Sequence, residues 1–289
     1  MAGPVLLLIP PLTQLNTPYP STAYLTGFLH GRGIEASQAD IGIEMVLRLF
    51  CRSGLQALFD QVREREDELP GEARQMLAVA PAYLHAIDPV IEFLQGRNSS
   101  LALLLARPGF LPQGPRFAGQ TAQTASARIL SDQDRAKRFA TLYLEDLADL
   151  TQATVSPYFA LSRYAEHVAR AASSFNTIID AIAVPPTLTD RFMLESMWEH
   201  LERINPLLVC LSVPFPGNLY GAFRMAHSIK SQRPDIAIAL GGGYANTELR
   251  RLSDPRVFDY VDYVTLDDGE VPCWHIRHQG QWRCRVVDS

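Results

Sequence analysis

Leu207-Leu208-Val209-Cys210-Leu211-Ser212-Val213-Pro214-Phe215 is an apolar run that ends in a serine and a proline-bounded turn. A continuous run with no polar alternation, bounded by turn residues, reads as a strand buried on both faces. Working outward, Asn218 to Gln232 has helical periodicity and is stopped by Pro234. A second apolar run, Ile236-Ala237-Ile238-Ala239-Leu240, then leads into Gly241-Gly242-Gly243. Tyr260 to Leu266 reads as a further strand, followed by Asp267-Asp268-Gly269-Glu270. On the N-terminal side, Asp190 to Ile204 is an amphipathic helix carrying Phe192, Leu194, Met197, Trp198 and Leu201.

The start of the chain repeats the pattern. Val5-Leu6-Leu7-Leu8-Ile9 is a buried strand closed by Pro10-Pro11. Ser21 or Thr22 is placed to N-cap a helix that Gly31 and Gly33 end. Ile34 to Ile41 reads as a second strand ending near Asp40. Five strands separated by helices predict a doubly wound, flavodoxin-like α/β fold with a five-stranded parallel sheet.

Between these halves the signal is helical, from Ile43 to about Ile182. Met45, Val46, Leu49 and Phe50 share one face; Met76, Leu77, Ala80, Tyr83, Leu84 and Ile87 share another; Tyr164, Val168, Ala171, Ala172 and Phe175 a third. A Pro/Gly-rich loop, Arg107 to Phe117, divides the block, and Glu64 to Glu68 reads as a solvated helix end. The predicted organisation is a Rossmann-like domain over 1–42 and 190–270, a largely α-helical insertion over 43–189, and an atypical tail over 271–289 that reads as a truncated, frameshifted or deliberately cut end.

The bulk numbers exclude several classes. A chain of 289 residues with 47% hydrophobic residues can bury a real core. A net charge of -5 offers no footprint for nucleic acid or an anionic membrane surface. The N-terminal apolar run is too short to span a bilayer and has no positive flank or cleavage site. Cys51, Cys210, Cys273 and Cys284 are too few and scattered for a disulfide framework, which points to a reducing, cytoplasmic setting.

In doubly wound sheets the ligand lies beyond the carboxyl ends of the strands. That rule selects five loops: Pro10 to Ser21, Asp40 to Gly42, Ser212 to Asn218, Gly241 to Ala245 and Leu266 to Glu270. Gly241 to Gly243 can bring backbone close to a flat ligand, or make a plain turn. They lack the position and spacing of a dinucleotide fingerprint. Ser212 can hydrogen-bond a ligand, with Pro214 and Pro216 holding the loop that also carries Val213, or the loop can simply lead into the next helix. Asp267 to Glu270 lacks calcium-loop spacing and reads as a solvated turn. Cys273, His275, His278 and Cys284 match no standard zinc pattern. His30 and His200 sit late on their helices, away from the ligand rim, and read as structural or solvated.

The order of these segments resembles the N-terminal B12-binding domain of cobalamin-dependent radical SAM proteins. The resemblance rests on VLLLIPP, the helix YLTGFLHGRGIE opened by Pro-Ser-Thr, LLVCLSVPF, IALGGGYANTELRRL and DYVDYVTLDDGE. It covers roughly residues 4 to 42 and 190 to 270. It implies cobalamin as cofactor, with the corrin over the strand ends and its nucleotide tail running into the sheet beside Ser212 and the glycines. The implied contacts are Pro11, Leu12, Thr13, Ser21, Thr22, Asp40, Ser212, Val213, Pro214, Gly241, Gly242, Gly243, Leu266, Gly269 and Glu270. There are two departures. The loop Pro10 to Ser21 contains no histidine to replace the dimethylbenzimidazole on cobalt, a feature radical SAM relatives share. The Cys-x-x-x-Cys-x-x-Cys motif that holds a [4Fe–4S] cluster for S-adenosylmethionine is absent. The expectation is a cobalamin-binding part that is not catalytic alone, served by a radical SAM domain in cis or in trans. The alternatives are a stand-alone corrinoid protein serving a separate methyltransferase, a flavodoxin-like nucleotide- or flavin-binding module, or a structural interaction module.

Overall fold

A computed structural model describes residues 3–11, 15, 19–107, 109–118, 131–161, 175–248, 250, 254–279 and 286–287. Its contacts divide the chain into two units, 1–45 with 161–289, and 46–160.

The first unit holds the sheet. Strands β1 (Val5–Ile9), β2 (Ala36–Asp40), β3 (Leu208–Ser212), β4 (Ala237–Gly241) and β5 (Tyr263–Thr265) are joined by a two-residue β6 (Val286–Val287). The order is β2-β1-β3-β4-β5-β6 and every pairing is parallel. The first five strands thus follow the flavodoxin-like order. β6, beside β5, is the one strand the hydropathy pattern did not show. β1 and β3 are buried at every position, as runs covered on both faces must be. Residues 271–279, read from sequence as tail, belong to a helix, Glu270–Gln279, whose Cys273 and Ile276 lie in the core. Of the stretch read as insertion, the described residues 161 and 175–189 also cluster with the sheet unit.

One face of the sheet is closed by this helix and by Ser21–His30, which pack against each other. Val5 and Leu7 of β1, Leu208 and Cys210 of β3 and Ala239 of β4 form one cluster with Leu29, Ile34, Cys273 and Ile276. These strand positions are two residues apart, so they share a face. Leu7, Cys210 and Ala239 stand in one row across β1, β3 and β4.

His30 and His200 have the structural roles expected. His30 Nε2 lies 2.8 Å from the Ala36 carbonyl at the start of β2. His200 Nε2 lies 2.8 Å from Glu44, while Arg203 donates to His200 Nδ1 at 2.8 Å. The expected N-cap of the first helix differs. Pro20 is the N-cap and no side chain caps the helix. Ser21 already stands in the first turn, and its hydroxyl is spent on Ser212 instead.

The second unit is helical among its described residues, as the pattern predicts: Arg52–Arg63, Gly71–Ala78, Ala80–Leu94 and Asp132–Thr154 are its longer helices. Glu64 to Glu68 are exposed. Tyr164 to Ala172 lie outside the described residues. No single helix among the described residues is long and apolar enough to cross a membrane. Tyr83 and Tyr143 stack at the centre, rings 5.3 Å apart, and the Tyr143 hydroxyl donates to the Tyr83 carbonyl at 2.6 Å. Nearby, buried Asp146 accepts the N–H groups of Gly114 at 3.0 Å and Arg116 at 2.8 Å.

Burial pushes the Asp146 carboxyl up to about 6, against the opposing pull of these two N–H donors. Its folded-state value thus exceeds the unfolded one. Between about pH 4 and 6 the folded form holds more protons, so this group's contribution to stability falls as pH rises and is flat above that window. The full effect is about 3 kcal/mol at most, from two pKa units at about 1.4 kcal/mol each. Asp146→Asn should flatten the pH 4–6 segment of the stability profile relative to wild type. Urea midpoints collected across pH 4–7 for both proteins check this. Parallel profiles through the window would mean that Asp146 does not titrate there.

Candidate functional site

A cavity of about 330 Å³ opens at the carboxyl ends of β3, β4 and β5 and reaches in to Leu7 of β1. Small side chains create it. Cys210 and Ser212 on β3, Ala239 and Gly241 on β4 and Thr265 on β5 leave a gap below the helices Ser21–His30 and Glu270–Gln279. Large aliphatic residues at those places would close it, as interiors normally fill to crystal-like density. Leu7, Cys210, Ala239 and Cys273 line its inner part; Ser21, Thr22, Leu25, Ser212 and the glycines Gly241 to Gly243 line the walls. Its mouth carries Tyr19, Tyr24, Asn246, Asp267, Asp268 and Glu270.

Among the residues implied by the resemblance, the structure brings together Ser21, Thr22, Ser212, Gly241, Gly242, Gly243, Gly269 and Glu270. The Ser21 and Ser212 hydroxyls are 2.7 Å apart, so a ligand group can replace either partner without stranding a buried donor. Both bordering helices also begin here, leaving first-turn N–H groups such as those of Ser21 and Thr22 without intrahelical partners.

The other implied residues stand elsewhere. Pro11 is buried against the helix Leu219–Gln232, with its Cδ about 3.0 Å from where a Cβ on Gly221 would sit. Asn218, at the head of that helix, donates to the Pro10 carbonyl at 2.6 Å and fixes the same loop. Asp40 accepts the Ile43 N–H at 3.1 Å and holds the start of the next helix, its carboxyl raised by burial. Val213 and Pro214 form the turn that abuts the glycines through backbone. Leu266 is buried in the protein. Leu12 and Thr13 lie outside the described residues.

Several lining residues were not singled out in the sequence. Cys210 and Ala239 look like ordinary strand residues, and only the row they form with Leu7 shows that they make space. Cys273 entered only as one of four possible zinc ligands. In the fold its Sγ is 3.6 Å from Cys210 Sγ, on the sheet side of its helix. No cluster of three or more metal-ligating side chains occurs among the described residues.

The electrostatics narrow the possible occupants. The described lining contains no lysine, arginine or histidine. Asp267 is paired with Arg250, while Asp268 is exposed at the mouth and Glu270 is half-buried. Asn246 locks the rim by donating to the Asp267 carbonyl at 3.2 Å and accepting its N–H at 2.6 Å. The interior is aliphatic, thiol and hydroxyl in character. It suits a neutral, partly aromatic group with a few hydrogen-bonding positions better than an isolated dianion. No family model matches the chain, and neither does any curated protein or solved structure.

Proposed function

We propose that this chain binds cobalamin, as the corrinoid-carrying part of a B12-dependent radical SAM system. The observation that carries the reading is the cavity between the sheet and the two helices. It runs from the strand ends down to Leu7, Cys210 and Ala239, the course the resemblance assigns to a cobalamin nucleotide tail. Its volume of about 330 Å³ is at the small end of ligand cavities and suits the tail, not the macrocycle. The corrin would lie outside, over the mouth. There Tyr24 is 72% exposed, and Tyr19 meets Phe215, a neighbour of the mouth that is 52% exposed, edge to face at 5.9 Å. Exposed aromatics at a cavity mouth suit a large flat ligand.

In this reading Ser21, Thr22 and Ser212 hydrogen-bond the tail, and Leu7, Leu25 and Ala239 enclose its base. Bound cobalamin would supply the reactive cobalt–carbon bond. The described lining contains no histidine, and neither does the loop Pro10 to Ser21, so no imidazole from these residues reaches cobalt. The radical chemistry would come from a cluster-bearing domain in cis or in trans. The free thiols Cys51, Cys210 and Cys273 suit a reducing, cytoplasmic setting.

The test is retention of hydroxocobalamin by the purified chain after gel filtration, with flavin mononucleotide in parallel. Cobalamin should be retained and flavin not. Ala239→Leu fills the inner cavity. It should weaken binding about thirtyfold, the equivalent of about 2 kcal/mol of lost burial at about 1.4 kcal/mol per decade. In the Co(II) form, electron paramagnetic resonance should show no nitrogen splitting from an axial ligand. Flavin retention, or cobalamin affinity unchanged in a folded Ala239→Leu protein, would overturn the reading.

A further inference from the structure

Cys210 of β3 and Cys273 of the helix Glu270–Gln279 face each other across the sheet–helix layer, and both line the cavity. Each is nearly inaccessible from outside, at 6% and 3% exposure. A small solute that enters the cavity therefore meets both sulfurs together. A disulfide needs the two Sγ atoms to close from 3.6 Å to about 2.05 Å. Rotation of the two cysteine side chains between rotamers, with a small shift of the helix, would supply that movement. Cys273 is in its first turn, directly after Gly269, and a Cβ at Gly269 would meet nothing nearer than the Leu25 side chain at 3.4 Å.

We propose that Cys210 and Cys273 are an oxidisable dithiol whose disulfide ties the helix Glu270–Gln279 to β3 and shuts the inner end of the cavity. The oxidant class is a small peroxide. One thiolate attacks a peroxide oxygen, the O–O bond breaks, and the departing hydroxide is protonated to water. The sulfenic acid so formed is attacked by the second thiolate, its hydroxide leaves as a second water, and the S–S bond forms. Two electrons pass from the two sulfurs to the peroxide. Hydrogen bonding with Cys273 and burial push the Cys210 thiol up, so the reaction is slow at neutral pH and accelerates as pH rises. The pair therefore responds to sustained oxidant.

The full chain is reduced, treated with hydrogen peroxide, unfolded, alkylated and digested. The expected product is a peptide pair linking Cys210 to Cys273, two hydrogen atoms lighter than the separate peptides and separated by dithiothreitol. Amide exchange in the first turn after Gly269 should slow in the oxidised protein. Resting on the cobalamin reading, affinity for hydroxocobalamin should fall about tenfold on oxidation and recover on reduction. Cys51→Ala should leave the response intact, and Cys273→Ala should abolish it. If Cys273→Ala does not fold, the wild-type peptide map decides alone. Cys210 and Cys273 that remain alkylatable, or carry separate sulfinic acids, overturn the proposal. A linked pair in a chain that never retains cobalamin leaves the dithiol standing and removes the cobalamin reading.

Discussion

Arg224→Met should cost about 3–5 kcal/mol of stability, the range for removing one member of a buried charge network. Arg224 is 3% exposed and lies on the helix Leu219–Gln232. Its Nη1 donates to the carbonyls of Ile182 at 2.8 Å and Val184 at 3.0 Å, and its Nη2 to Ala181 at 2.8 Å. Those carbonyls belong to the C-terminal end of the helix Asn176–Ala183 and the residue that caps it. They are among the groups a helix cannot satisfy internally. The same guanidinium donates to the Tyr220 hydroxyl, which donates on to Asp190 Oδ2 at 2.9 Å. Asp190 in turn closes the capping box with Thr187 that starts the helix Leu188–Ile204. One side chain thus joins three helices. Methionine keeps the length and fills the space, but leaves three carbonyls unpaired and the Asp190 carboxylate without its counter-charge. Lysine should rescue little, since an ammonium has three donors in a compact cluster and cannot match a five-donor planar fork. Urea unfolding of wild type, Arg224→Met and Arg224→Lys gives the three values. A loss under 1 kcal/mol for methionine would show that water or a shifted helix replaces the guanidinium.

Nothing in the sequence marked Arg224. An arginine in an amphipathic helix reads as a solvated position, and its carbonyl partners lie about forty residues upstream. β1, β3 and β4 were legible because they are nearly unbroken apolar runs, a pattern that needs only neighbours in sequence, whereas β2, Ala-Ser-Gln-Ala-Asp, offered only a weak alternation. β5 was read too long, from Tyr260, because Tyr260 packs on Phe223 and Phe175 as part of an aromatic cluster just outside the strand. β6 was not legible because two valines make no periodicity. The loops that could carry a ligand were legible from topology alone, since strand ends on one side of a parallel sheet share a rim. Which rim residues face the cavity was not. Val213 and Gly242 are both rim residues, but Val213 turns its backbone toward the glycine run. The inner cavity was invisible for a different reason: alanine and cysteine in a strand signal burial, not empty space.

Gly242→Ala should destabilise the protein by about 3 kcal/mol or more, while Gly269→Ala stays within about 1 kcal/mol of wild type. The resemblance implies a ligand contact at both glycines. The structure gives Gly242 a prior duty. Its φ of 110° and ψ of 179° fall in a region that is essentially glycine-only. A Cβ there would stand 2.7 Å from the Val213 carbonyl oxygen and 2.9 Å from its nitrogen. Those are backbone atoms of the neighbouring turn and cannot swing aside. The turn is also stitched to the glycine run on both sides: Val213 N–H donates to Gly241 at 2.7 Å, and Tyr244 N–H donates to Val213 at 3.1 Å. Relieving the clash means breaking those bonds and opening the wall of the cavity. At Gly269 φ is not in the left-handed range and a methyl meets only the Leu25 side chain at ordinary contact distance. Loss of ligand in a Gly242 variant therefore reports a damaged wall, whereas loss in a stable Gly269 variant reports a contact. Denaturation midpoints separate the two cases before any binding is measured. A Gly242→Ala protein as stable as wild type would show that the two turns are not held together as tightly as these distances require.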